Sequence, residues 1–194
     1  MKTVGTAAIG GPFSLVDHNG QARSDLSYLD RFRLVYFGFT FCPDICPTEL
    51  TKMGRVLEGL EENGLIGRLA PMMISVDPWR DTVGQIRQYV HQFHPKIIGL
   101  TGTPEQVMEA CKSYRIYASK PPDDGEEDYL VDHSVFMFLM DTEGHYVAHY
   151  GPDKDEDYIL EDITKQIMDY DIANGPSDSV FSSLSSFFTR MTKE

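Results

Sequence analysis

Two cysteines four residues apart, at the junction of a buried strand and a helix, constrain this 194-residue chain more than any other feature. Cys42 and Cys46 follow the apolar run Leu34–Phe39, which is short, rich in Val, Tyr and Phe, and typical of a buried strand. A helix is predicted from about Asp44 to Glu61, because Asp is a favourable N-cap and Pro47 is tolerated in a first turn. The cysteines should therefore lie where the strand ends and the helix begins.

This position favours ionised, and therefore reactive, cysteine side chains. Unpaired N–H groups and the positive end of a helix dipole point at the start of a helix, and both favour a thiolate over a thiol. On a helix, a spacing of four residues places two side chains on one face, close enough to share one ion or to form a disulfide. The pair therefore predicts either soft-metal binding or thiol redox chemistry, and the residues around it leave both open.

Length and composition limit the other possibilities. A chain of 194 residues predicts one main domain with a full core. The net charge of −13 argues against nucleic acid or anionic lipid as a partner and favours a partner with a basic face. No apolar run approaches the roughly 18 residues of a membrane span, and the N-terminus lacks a signal-peptide pattern. We therefore expect a soluble protein or a piece separated from an anchor.

The remaining elements predict an α/β sheet, parallel in its first part and antiparallel at its closing hairpin. An Asn-Gly turn over Asp17–Gly20 predicts an N-terminal hairpin, followed by a short helical turn over Ser24–Asp30. The later elements are strands at Ala70–Val76 and Ile97–Leu100, helices at Val83–Phe93 and Pro104–Ser113, a hairpin of Ser134–Met140 and Tyr146–Tyr150, and a helix at Asp155–Asp169. This order, with a cysteine pair after the first buried strand, predicts a thioredoxin-like fold with an N-terminal β-hairpin and a C-terminal extension.

The predicted domain covers residues 11–170, between a flexible lead of residues 1–10 and a tail of residues 171–194. Apolar residues recur at helical spacing in the tail: Val180, Phe181, Leu184, Phe187, Phe188 and Met191. A helix that docks on its own domain, or a disordered end, is the favoured interpretation. The alternative is an amphipathic helix that binds a partner or a membrane surface. The hydrophilic stretch Lys120–Asp128 is predicted to be a loop.

Two thiolates require a further ligand to make a good mononuclear metal site, and His133 is the candidate. It directly precedes the predicted strand Ser134–Met140, and in a thioredoxin-like fold the turn before that strand faces the cysteine loop. Thioredoxins have a cis-proline there, whereas this chain has histidine. Two thiolates and a neutral imidazole form a soft set that prefers Cu(I), although Cu(II) or Zn(II) with an added ligand would fit. The competing interpretation is a hydrogen-bonded loop or core histidine.

Four motifs, in order and spacing, resemble the Sco/SenC proteins: residues 40–50 (TFCPDICPTEL), 75–82 (SVDPWRDT), 99–103 (GLTGT) and 128–134 (DYLVDHS). The resemblance runs from about Gly10 to Tyr170. These proteins are copper chaperones for the binuclear copper centre of cytochrome c oxidase subunit II. The resemblance implies copper ligands at Cys42, Cys46 and His133. Trp79 stands where the family usually has an acidic residue, and the sequence offers no functional reason for it.

The resemblance also implies partners and a location. It implies delivery to cytochrome c oxidase subunit II and supply by an upstream copper donor protein. The acidic loop before His133 resembles mitochondrial members, which implies an N-terminal anchor in the mitochondrial inner membrane and a soluble domain in the intermembrane space. The sequence has no anchor segment, so we take the chain to be the soluble domain alone.

Several other polar residues are candidates for lesser roles. Asp77 should lie at the same sheet edge as the cysteines, where it either orients a ligand or receives a basic group of a partner, or else caps the helix at Pro78. Arg80 and Asp81 are expected to form a structural ion pair. Asp132 either sets the imidazole tautomer of the adjacent histidine or bonds within the local turn.

The remaining histidines and the third cysteine are not expected to carry chemistry. His91 and His94 lie three residues apart on a predicted helix without a third ligand nearby, so they are expected to be solvated surface residues. Cys111 lies in a predicted helix and is expected to be a small core residue. No role is assigned to His18, His145 or His149.

Two functions compete for the cysteine pair. A metallochaperone would bind Cu(I) at an exposed loop and pass it on by ligand exchange. A thiol–disulfide oxidoreductase would use Cys42 and Cys46 without metal to reduce the cysteines of the same acceptor. The three-residue spacer and the histidine in place of proline favour the chaperone, so the chain is not expected to be primarily an enzyme. Because a disulfide cannot ligate copper, oxidation of the pair would switch metal binding off.

Overall fold

The computed structural model describes residues 9–118, 131 and 134–175. In this part of the chain, seven strands form one mixed sheet in the order β2-β1-β5-β4-β3-β6-β7. The strands are β1 (Ser14–Asp17), β2 (Ala22–Ser24), β3 (Phe32–Gly38), β4 (Leu69–Ser75), β5 (Ile98–Thr101), β6 (Met137–Met140) and β7 (Tyr146–Tyr150). The helices are α1 (Ile45–Glu62), α2 (Val83–Val90), α3 (Pro104–Ser113) and α4 (Glu156–Asn174), with short 3-10 turns at Asp25–Tyr28 and Ile66–Arg68.

The centre of the sheet is parallel and fully buried. Strand β4 pairs in parallel with both β3 and β5, whereas β6 pairs antiparallel with β3, and β7 with β6. All seven residues of β3 and all seven of β4 are buried, as expected for strands covered on both faces. The hairpin β1–β2 adds antiparallel strands beside β5. This is the thioredoxin-like α/β fold with an N-terminal hairpin that the sequence predicts.

Helix α1 begins beside the cysteines, and its apolar side packs into the core. The predicted stripe of Leu50, Met53, Leu57 and Leu60 is entirely buried. At Gly59 the neighbouring helix α4 approaches so closely that an added Cβ would lie 2.3 Å from Leu160. Along the described helices, none has both the length and the apolar character that crossing a membrane requires.

Some element ends differ from the sequence prediction. Helix α2 ends at Val90 rather than Phe93, and the chain leaves it in a turn in which the N–H groups of Phe93 and His94 both donate to the Val90 carbonyl. Helix α4 continues past Asp169 to Asn174 and ends before Gly175, which has φ 81°. Helix α1 does start after Asp44, but the Asp44 side chain makes no capping hydrogen bond, so that part of the prediction is wrong.

Three predicted segments fall wholly or partly outside the described residues. These are the lead before Ile9, the loop Lys120–Asp128 and the tail beyond Gly175.

An ion pair fastens the last turn of α4 to the start of β4. Arg68 Nη2 lies 2.6 Å from Asp171 Oδ1, with side chains only 11% and 7% exposed. Arg55 and Glu156 form a pair of equal length at the start of α4, but their side chains are 61% and 31% exposed. Comparing the two pairs tests how burial changes the contribution of an ion pair to stability.

We expect Asp171→Ala to lower the free energy of unfolding by about 3 kcal/mol, because it leaves the buried Arg68 guanidinium without its carboxylate. Glu156→Ala, the control, should lower it by less than about 1 kcal/mol, since exposed ion pairs contribute little. Urea denaturation of both variants measures the difference. Equal losses of unfolding free energy in the two variants would show that burial does not strengthen the Arg68–Asp171 ion pair.

Candidate functional site

The structure brings the two predicted cysteines together at the carboxyl end of β3. Cys42 lies in the turn after the strand, where its N–H donates to the carbonyl of Phe39 at 3.3 Å. Cys46 is the second residue of α1, and its backbone N–H donates to the Sγ of Cys42 at 3.4 Å. The two thiols are also hydrogen-bonded to each other. The predicted position at a strand–helix junction is therefore confirmed.

The two sulfurs have different surroundings. Cys42 is half-buried, whereas Cys46 has no exposed surface. The hydrogen bond with Cys42 and then burial raise the pKa of the Cys46 thiol, while a hydrogen bond from Tyr36 Oη at 3.3 Å opposes that rise. The expectation that the helix start favours the thiolate is thus wrong for Cys46, because the thiol contact and the loss of solvent outweigh the helix dipole.

Gly38 makes room for the hydrogen bond between Tyr36 and Cys46. A Cβ added at Gly38 would lie 2.9 Å from the Sγ of Cys46 and 2.7 Å from Cε1 of Tyr36. Real Cβ contacts essentially never come so close, so a side chain at this position would push the sulfur and the ring apart. The last residue of β3 must therefore be small for the phenol to reach the thiol.

Asp81 holds the cysteine turn from the neighbouring loop. Its carboxylate is 1% exposed and accepts hydrogen bonds from the hydroxyls of Thr40 and Ser75, each at 2.6 Å, and from the Thr40 N–H at 3.2 Å. Its backbone carbonyl accepts from Thr101 Oγ1 at 3.2 Å. These partners stand at the carboxyl ends of β3, β4 and β5, so one residue joins three parallel strands beside the site. Burial raises the pKa of Asp81 to about 6.

The predicted ion pair of Arg80 with Asp81 is wrong. Arg80 Nε instead lies 2.6 Å from Oδ2 of Asp77, which is fully buried. Neighbours three residues apart in a turn can meet face to face, whereas Asp81 turns inward to the strand ends. The basic group that Asp77 receives in this structure therefore comes from its own loop, and a ligand or partner role for Asp77 stays a prediction.

The same arginine contacts the aromatic residues beside the cysteines. Its guanidinium carbon lies 4.7 Å from the ring centre of Phe41 and 6.0 Å from that of Phe39. Phe41 is 45% exposed and Trp79 is 39% exposed. An exposed aromatic ring, that of Phe41, therefore lies beside Cys42, with the largely buried Arg80 packed against it.

The third predicted ligand, His133, lies outside the described residues, as does Asp132. Among the residues that are described, no three His, Cys, Asp or Glu side chains gather in a way that could hold a metal ion. Strand β6 runs antiparallel to β3, with Met137 opposite Tyr36. Strand β6 therefore begins at the end of the sheet where β3 ends and the cysteines follow.

The other histidines differ in part from expectation. His94 is buried rather than solvated, with its Nδ1 accepting from the Lys96 N–H at 3.2 Å and its Nε2 lying 3.8 Å from a carboxylate oxygen of Glu61. His94 lies in the turn that follows α2, beyond the end of the helix. His91 is exposed as predicted, and its ring centre lies 5.1 Å from that of His18. Cys111 is buried in the core, as expected.

Sequence reasoning missed Tyr36, Gly38 and the bridging role of Asp81. Tyr36 lies within an apolar strand, where a tyrosine is ordinarily core. The available signal was a polar phenol near the end of a strand that a cysteine pair follows.

Comparison with known proteins places the chain among Sco proteins. The family model described as SCO1/SenC matches residues 1–168. The chain is 45% identical over 168 residues to the mitochondrial SCO1 homolog 1 of Arabidopsis thaliana, covering 87% of this chain and 50% of that protein. It is 42% identical over 169 residues to the human mitochondrial SCO1 homolog, covering 87% and 56%. The chain thus spans about half the length of the curated relatives it matches.

Solved structures agree in fold. Yeast Sco1 with copper bound superimposes with a TM-score of 0.80 at 41% identity, covering 90% of this chain and 98% of that chain. Arabidopsis thaliana ScoI with copper bound gives a TM-score of 0.77 at 45% identity, covering 84% and 100%.

The raised pKa of Asp81 predicts a dependence of stability on pH. Its pKa of about 6 in the folded protein exceeds the ordinary value of 3.8, so folding favours the protonated acid. The resulting stabilisation is complete below about pH 4 and is lost as pH rises through about 6. Relative to Asp81→Asn, the unfolding free energy of the unaltered protein should therefore fall by about 3 kcal/mol from about pH 4 to about pH 7. Urea denaturation across this range measures it, and a constant difference would contradict the prediction.

Proposed function

The chain belongs to the SCO1/SenC family, and we propose that it is a copper metallochaperone that delivers copper to the binuclear copper site of cytochrome c oxidase subunit II. The contact between the thiols of Cys42 and Cys46 carries this proposal. Relatives at 37–45% identity have been solved with copper bound, which supports copper as the ion.

The donor atoms fit a soft ion. Two thiol sulfurs already in contact can grip Cu(I) with little rearrangement, and His133 would complete the set with a neutral imidazole. Binding would displace the protons of both thiols, including that of Cys46, whose pKa the hydrogen bond with Cys42 and burial raise. Cu(II) would fit the same residues with an added ligand.

The unequal exposure of the sulfurs suggests how the ion leaves. A ligand of the acceptor can approach at Cys42, which is half-buried, while the fully buried Cys46 still holds the ion from behind. The imidazole of His133 would be exchanged in the same sequence. Copper would thus pass between proteins without being released into water.

The proposal includes partners and a location. We expect a subunit II acceptor, an upstream copper donor protein, and residence at the mitochondrial inner membrane with this domain in the intermembrane space. The names of the relatives, which include the word mitochondrial, support the compartment. The net charge of −13 favours partners with basic docking faces.

We predict that the reduced protein takes up about one Cu(I) per chain and that His133→Ala weakens binding at least about tenfold, by analogy with losses at residues that only support a metal ligand. Competition with a chromophoric Cu(I) chelator measures both. His91→Ala and His145→Ala, at exposed histidines, are the controls. His94 is unsuitable because it is buried. Equal copper affinity in all three variants would show that His133 is not a copper ligand.

A second function, thiol–disulfide exchange, is favoured by the same difference in exposure. Cys42 is accessible and receives the N–H of Cys46, which suits an attacking thiolate. It would attack an acceptor disulfide and release one acceptor thiol. Cys46 would then attack the mixed disulfide and release the second thiol, leaving a Cys42–Cys46 disulfide and an acceptor reduced by two electrons.

Turnover distinguishes the two functions. If the metal-free dithiol is an oxidoreductase, it will reduce an oxidised subunit II peptide over many cycles with glutathione as the electron source, and Cys42→Ser will abolish the reaction. A reaction that stops after one equivalent would exclude a catalytic role and leave the metallochaperone. Cys111→Ser is the control, because that thiol is buried elsewhere in the core.

A further inference from the structure

An arginine lies inside the fold with part of its guanidinium unpaired. Arg33, the second residue of β3, is 2% exposed, and its neighbours across the sheet are Ala70 on β4 and Met140 on β6, both apolar and fully buried. Its Nη1 donates to the carbonyl of Asp25 at 3.3 Å. Its Nε and Nη2 are buried and have no hydrogen-bond partner among the residues that the structure describes.

Two other arginines with largely buried side chains are paired with carboxylates. Arg68 lies 2.6 Å from Asp171, Arg80 lies 2.6 Å from Asp77, and the two arginine side chains are only 11% and 13% exposed. A buried charge without an opposite charge costs far more free energy than a paired one. The unpaired part of Arg33 therefore calls for a partner that the described part of the chain does not supply.

The two unpaired donors belong to one edge of the guanidinium. The N–H groups of Nε and Nη2 point the same way, which is the arrangement that grips two oxygens of a carboxylate or a phosphate side-on. Such an ion satisfies both donors of Arg33 and its charge at once, whereas a water molecule brings no charge. The chemistry of this edge thus fits a small oxyanion.

The surroundings of Arg33 make room for its guanidinium. A Cβ added at Gly144, in the turn between β6 and β7, would lie 2.5 Å from Nη2, so a side chain there would displace the group. Burial raises the pKa of Tyr114, which follows α3, to about 12, and the nearby charge of Arg33 opposes that rise. Tyr114 also lines an open groove of about 200 Å³ together with Ile9 and Arg115.

We propose that Arg33 is an internal oxyanion-binding site, in which the Nε–Nη2 edge binds a small carboxylate or phosphate that enters from the groove beside Tyr114. The ion supplies the negative charge that Asp171 supplies to Arg68. Because it binds the folded protein and not the unfolded chain, it raises stability. Copper takes no part in this site, so the outcome of its test leaves the proposed function unaffected.

Titration of the full chain with inorganic phosphate or with acetate, at an ionic strength held constant with sodium chloride, tests the site. Each ion should raise the midpoint of thermal unfolding toward a saturating limit. Each should also shift the Nε–H signal of Arg33 in a two-dimensional NMR spectrum. A response to phosphate alone or to acetate alone identifies which class of oxyanion the site takes.

Substitutions at Arg33 separate its charge from its geometry. Arg33→Met should abolish the stabilisation by either ion and, in chloride alone, should unfold at a higher temperature than the unaltered protein, because it removes an unpaired buried charge. Arg33→Lys keeps the charge without the two parallel donors and should bind oxyanions at least about tenfold more weakly. Arg87→Met, at an exposed arginine of α2, is the control and should respond as the unaltered protein does.

Three results would overturn the site at Arg33. One is the same saturating response in Arg33→Met as in the unaltered protein, and another is an unaltered protein that responds to neither ion. The third is a lower unfolding midpoint of Arg33→Met in chloride, which would show that the charge is already compensated within the protein. If Arg33→Met does not fold, an unchanged affinity in Arg33→Lys, or an Nε–H signal that stays in place at saturating ion, rejects the site.

Discussion

The contact between two thiols at the end of a buried strand is the interaction on which the site depends. A fully buried sulfur on Cys46 and a half-buried one on Cys42 meet because the chain turns sharply between Gly38 and Ile45. The hydrogen bond with Cys42 and then burial raise the pKa of the inner thiol. A soft cation can replace its proton more readily than water can remove it, which suits the proposed role as a copper chaperone.

The surrounding fold keeps this contact in place from several directions. Asp81 ties the cysteine turn to the ends of three parallel strands through Thr40, Ser75 and Thr101. Arg80, held by Asp77, covers the ring of Phe41 beside the first cysteine. The loop between β4 and α2 thus supports the turn that carries the thiols. The carboxyl edge of a parallel sheet is where α/β proteins ordinarily place their ligands, and this protein places its thiols there.

Much of the fold follows from the sequence, and less of the site does. Strong patterns predicted the elements: the apolar run at Leu34–Phe39, the Asn-Gly turn, and the helix Pro104–Ser113 at its observed bounds. The errors arose where tertiary contacts outweigh local preference. The hydrogen bond with Cys42 and burial raise the pKa of Cys46 against the helix dipole, and His94 is buried beyond an early helix end. Side-chain networks such as that of Asp81 join residues about forty positions apart, which no local pattern encodes.

The central claim is that two sulfurs from one turn and the imidazole of His133 hold a single copper ion. X-ray absorption at the copper edge of the Cu(I)-loaded protein tests it most directly. The account predicts two sulfur neighbours and one nitrogen neighbour in the unaltered protein, and loss of the nitrogen alone in His133→Ala. A spectrum with sulfur neighbours only, identical in the two proteins, would contradict it.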